Sequence, residues 1–80
     1  MLEIFNHLPG GILEREASRL HEVLEGPALI HVAGRKRRPL YVSVLLHGNE
    51  TTGWETIRAL LKRYPEGALP RSLSLFIGNV

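Results

Sequence analysis

Cysteine is absent from all 80 residues of the chain, which excludes a disulfide framework and any thiolate metal site. That absence suits a reducing compartment. Long apolar runs are missing too: nothing approaches the length of a membrane-crossing helix. The amino-terminal region carries acids and no uninterrupted apolar stretch of signal-peptide length, so nothing marks the chain for secretion. A soluble, cytoplasmic protein with no membrane partner is therefore expected. Charge of one sign is also scarce. Ten Lys and Arg against eight Asp and Glu leave a net charge of +2, too small to imply a polyanionic partner. Internal repeats and low-complexity segments do not occur. What is present is an ordinary globular composition, 44% hydrophobic and 22% charged, enough for one domain with a modest core.

Residues 40–64, LYVSVLLHGNETTGWETIRALLKRY, organise the remainder. Tyr41, Val42, Val44, Leu45 and Leu46 form a near-continuous apolar run interrupted by Ser43, the composition of a strand buried on both faces. Trp54, Ile57, Leu60, Leu61 and Tyr64 then recur at helical spacing. Thr52 and Glu55 have the form of a capping box, predicting a helix start near Gly53. Between strand and helix stand His47, Gly48, Asn49 and Glu50. A short turn at the carboxyl end of a buried strand is where open α/β sheets place their ligand sites. Gly48 lets the turn fold tightly enough for the imidazole of His47 and the carboxylate of Glu50 to converge. Both are good zinc donors, and catalytic zinc takes three protein ligands and keeps a fourth position open. The pair supplies two. The plainer alternative is a polar turn whose Glu50 only favours the helix N-terminus.

The run VSVLLHGNETTGWETIRALLKRY followed by LPRSLSLFIGNV resembles the amino-terminal part of the succinylglutamate desuccinylase/aspartoacylase family, among the zinc carboxypeptidase-like hydrolases. The resemblance covers residues 40–80 well and the earlier residues more loosely. It implies that His47 and Glu50 are the first two zinc ligands of a Zn2+-dependent hydrolase acting on the amide bond of an N-acyl amino acid or related small amide. The implied fold is α/β: the amino-terminal part of a mixed-sheet, zinc-carboxypeptidase-like α/β/α architecture, an antiparallel hairpin followed by a βαβ unit. In such a family the third zinc ligand, the general base and the substrate-binding arginine come later, and none has a matching position within residues 1–80. The chain is accordingly expected to be a single partial domain of a longer enzyme, inactive by itself.

The other segments fit that plan. Residues 1–11 show little periodicity, and Pro9, Gly10 and Gly11 break the chain, leaving His7 in a loop. Residues 12–25 read as a helix with Leu13, Ala17, Leu20 and Leu24 on one face and Val23 beside them, while Glu14, Arg15, Glu16, Arg19 and Glu22 face water. An alternative start near Ser18 leaves Ile12 and Leu13 extended. Gly26 and Pro27 end this element. Residues 28–33 predict a short strand whose His31 is a hydrogen-bonded or edge histidine rather than a ligand, having no spaced partner. Residues 34–39 predict a hairpin connection between antiparallel neighbours, its tip carrying Arg35, Lys36, Arg37 and Arg38. Residues 72–77 close the βαβ unit, with Asn79 brought near the site and the strand of residues 73–80 at an open edge.

Two further functions follow from these features. An exposed edge strand suits a non-catalytic interaction module or a homo-oligomer. The basic run suits a nucleic-acid-binding domain, but it lacks the interleaved aromatics of base-stacking modules, so no nucleic-acid partner is expected.

Overall fold

The strand richest in buried side chains is the last in the chain. A computed structural model describes residues 2–45, 51–64 and 68–78. In it β1 (Glu3–Phe5) is followed by two 3₁₀-helical segments (Ile12–Glu14 and Ala17–Glu22), β2 (Ala28–Val32), β3 (Leu40–Val44), α1 (Thr52–Lys62) and β4 (Leu73–Ile77). The described strands form one mixed sheet in the order β1-β2-β4-β3. β4 pairs antiparallel with β2 and parallel with β3, while β1 pairs parallel with β2. Among the described residues the result is a small mixed α/β domain with one α-helix and a four-stranded sheet.

The β3–α1–β4 unit is the expected βαβ crossover, and its two strands are adjacent. The expected hairpin between β2 and β3 does not form. The two strands run in opposite directions, as anticipated, but β4 lies between them and bonds to both. Residues 34–39 therefore form a crossover, and the Leu40 N–H donates to Ser72 O instead of to β2. Two related expectations are corrected with it. β4 is central rather than at an open edge, with Leu73, Ser74, Leu75 and Ile77 all buried. β3 is marginal among the described strands rather than buried on both faces: Leu40 is 51% and Tyr41 72% exposed.

The pleat sorts the sheet into two faces. Ala28, Ile30, Val32, Val44, Leu73, Leu75 and Ile77 share the face that forms the core, joined there by Trp54 and Leu61 of α1 and by Ile12, Leu20 and Leu24. Ile57 and Tyr64 pack against the same cluster, so the helix face foreseen from its spacing is the one that covers the sheet. The opposite face carries the paired rows of Ile4, Leu29, Phe76 and Ser43 and of His31, Ser74 and Tyr41. Ile4, at 62% exposure, and Tyr41 mark it as lacking a helical layer among the described residues.

Residues 12–25 do not form one helix. Arg15 (φ −110°, ψ 127°) and Glu16 (φ −71°, ψ 166°) are extended and split the segment in two. The cause lies in α1. Its Trp54 indole N–H donates to Arg15 O at 3.0 Å, and its Arg58 Nε donates to Leu13 O at 2.8 Å. Glu55 Oε2 accepts from the Ala17 N–H at 3.2 Å. Backbone groups that a continuous helix would have paired internally are satisfied across the core instead. The same contacts remove the expected capping box. α1 begins at Thr52 with Thr51 as N-cap and no side-chain cap bond, because Glu55 is held by Ala17 and Arg58. β1 was not foreseen, since three residues carry too little periodicity to register.

Candidate functional site

His47 and Glu50, the expected zinc ligands, lie outside the described residues, as do Gly48, Asn49 and Asn79. The structure describes the frame on either side of them. β3 ends at Val44 opposite Ile77 of β4, and the Gly78 N–H donates to Val44 O at 3.0 Å. The strand leading toward His47 and the strand leading toward Asn79 therefore run parallel and finish level. Leu45 follows with φ 53°, a left-handed conformation that disfavours an L-residue by about 1–2 kcal/mol. Its side chain is buried at 4% exposure, so the bend is anchored in the core. α1 starts again at Thr52, and Gly53 sits so close to β3 that an added Cβ would meet Val44 Cγ1 at 3.3 Å. A glycine here lets the first turn of the helix lie against the end of the strand.

His47 and Glu50 carry an imidazole and a carboxylate, side-chain types that serve as zinc donors in general. Among the described residues there is no group of three or more His, Cys, Asp or Glu able to hold a metal ion.

His31 occupies the role expected of it, with Nδ1 2.8 Å from Ser74 Oγ across the β2–β4 pair. The basic run behaves otherwise than a solvated hairpin tip. Its side chains are exposed, but its backbone is clamped to residues 69–72. The Arg35 N–H donates to Leu69 O (2.7 Å), while the Ser72 N–H and Oγ both donate to Lys36 O (2.9 and 2.8 Å). The Gly34 N–H donates to Ser72 Oγ (3.1 Å), and Arg71 Nε to Arg38 O (2.9 Å). Sequence reasoning missed this clamp and the cluster around Ser74. The available signal was Ser74 itself, a hydroxyl inside an otherwise apolar strand, which needs a partner once buried.

An apolar groove of about 200 Å³, lined mainly by Leu40, Leu60, Tyr64, Pro70 and Leu73, lies at the amino ends of β3 and β4. No described helix is long and apolar enough to cross a membrane. Comparison of the chain with protein-family models, with curated proteins and with solved structures produced no significant match.

Proposed function

We propose that this chain is the amino-terminal portion of a zinc-dependent hydrolase that cleaves the amide bond of a small N-acyl amino acid or related amide. The observation that carries this reading is the parallel β3–α1–β4 unit with level strand ends, between whose strand and helix the His-Gly-Asn-Glu tetrad falls. Carboxyl ends of parallel strands are where α/β sheets gather ligands. The reaction type and the zinc-carboxypeptidase-like α/β/α fold rest on the resemblance of residues 40–80 to the succinylglutamate desuccinylase/aspartoacylase family. A sheet whose described helices lie on one face is compatible with that fold, in which a later part of such an enzyme supplies the second layer. The same reading makes the protein cytoplasmic.

In this function His47 and Glu50 hold the metal, and Leu45 and Gly53 are the described positions that flank them, one in a left-handed conformation and one packed closely on Val44. The chemistry a bound zinc supplies is polarisation of the scissile carbonyl and a lowered pKa for water. Glu50, committed as a ligand, does not serve as general base, so the base belongs to a later segment. In the full-length parent, His47→Ala is expected to abolish amide hydrolysis while leaving the fold intact. Unchanged turnover in that variant would overturn the proposal.

A second reading is self-association through the margin of β3, favoured by the exposure of Leu40 and Tyr41. Sedimentation analysis tests it: a concentration-dependent dimer abolished by Tyr41→Lys supports the reading, and a monomer at every concentration rejects it.

A further inference from the structure

His31 near the end of β2 and Ser74 near the start of β4 lie side by side. Extending the β1–β2 register one residue beyond Phe5 and Ile30 brings Asn6 beside His31. These residues border a cleft of about 240 Å³ whose described lining also includes Arg37, Pro39 and Ser72 and no Asp or Glu. Ser74 is 2% exposed, and its hydroxyl meets His31 Nδ1, which fixes the ring plane and leaves Nε2 free of any described partner. Ser72 is occupied by Gly34 and Lys36. Arg37 reaches the cleft from a loop held by backbone hydrogen bonds on both sides of it. Gly34 makes that closeness attainable: a Cβ there would stand 2.3 Å from the Arg71 carbonyl carbon and 2.6 Å from the Ser72 nitrogen.

The ion pairs among the described residues join Arg15 and Arg19 to Glu22, and Arg58 to Glu55. None involves residues 35–38. Arg37, His31 and Asn6 thus border one cleft that has no carboxylate among its described lining residues, on a backbone already in place. We propose that this cleft binds a small oxyanion, the phosphate or carboxylate group of a small molecule. Arg37 supplies the charge and a planar pair of donors, which match such a group in two parallel hydrogen bonds. His31 Nε2 and the Asn6 side-chain amide supply further donors, and Ser74 is a positioning residue that holds the imidazole. A nucleophilic role for Ser74 does not fit. Ser74 is buried, and among the described residues no carboxylate hydrogen-bonds His31. The cleft is smaller than the roughly 300–1,000 Å³ of pockets that enclose whole drug-sized ligands, which suits one anionic group rather than a large molecule.

The test is a titration of the protein with inorganic phosphate and, separately, acetate, followed by amide and imidazole NMR shifts at fixed ionic strength. Saturable shifts confined to Asn6, His31, Arg37 and Ser74 are expected with at least one of the two anions, and the tighter one identifies the oxyanion class. Arg37→Ala should weaken that binding on the order of tenfold, the loss of a charge-assisted contact. Arg35→Ala removes the same charge from the same loop but not from the cleft, and should change it by less than about twofold. Both arginines are exposed, so both variants fold; unchanged thermal unfolding verifies it. Equal weakening by the two variants, no saturation with either anion, or binding only to a polyanion such as a single-stranded oligonucleotide would overturn the proposal. A zinc-free tetrad with an intact phosphate response, or the reverse, separates this site from the hydrolase reading.

Discussion

β3 and β4 are each five residues long, LYVSV and LSLFI, and each is apolar but for one serine. Their fates are opposite. β4 is central, with four of its residues buried, whereas β3 is marginal, with Leu40, Tyr41 and Ser43 exposed. The composition of an apolar strand therefore says that it belongs to a sheet without saying where. Rank within the sheet comes from the connections. The clamp pairs residues 34–40 with residues 69–72, and β4 continues from it between β2 and β3. Both serines lie on the face that no described helix covers, yet Ser74 is buried and bonded to His31 while Ser43 remains exposed.

The largest effect expected from this contrast is on stability. Leu75→Ala at the centre should lower unfolding free energy by about 3 kcal/mol, and Val42→Ala, its register partner on β3, by about 1 kcal/mol. Urea titration of the two variants checks this, and equal losses would deny the difference between the strands. A middle-sized effect belongs to Trp54→Phe. The indole N–H bond to Arg15 O disappears and a small cavity opens, for an expected loss of about 1–2 kcal/mol. Hydrogen exchange should then rise at Ala17, whose N–H contact to Glu55 shares the break. The smallest effect lies at the surface. The hydrogen bond from the Arg19 guanidinium holds the Glu22 carboxyl below its ordinary pKa. A depressed folded pKa contributes stability above the unfolded carboxylate pKa, and that contribution fades as pH falls through the folded value. Glu22→Gln should consequently flatten the acid limb of a stability–pH curve slightly and leave the shape above neutral pH unaltered.

What the sequence made legible were features written within one element. The face of α1 carrying Trp54, Ile57, Leu61 and Tyr64, the strand at Ala28–Val32 and the β3–α1–β4 crossover all follow from local periodicity and punctuation. What escaped it depended on partners distant in the chain. Glu55 looked like a cap for Thr52 because the two are three residues apart, but the Ala17 N–H, 38 residues away, takes its carboxylate. Arg15 and Glu16 lie in a helical pattern and are extended because α1 satisfies their neighbourhood. The tetrad stands between these cases. The strand before it and the helix after it were legible from periodicity, and the zinc role proposed for it comes from a resemblance to a family.

The most direct test is therefore metal content. Zinc bound by the longer hydrolase of the proposal should be measured alongside its His47→Ala and Glu50→Ala variants, each verified as folded by circular dichroism. The account predicts one zinc per chain at the tetrad and a fall in affinity of at least about a hundredfold in each variant, more than the loss of an outer-shell partner causes. Zinc retained at full occupancy and unchanged affinity in both variants would contradict it.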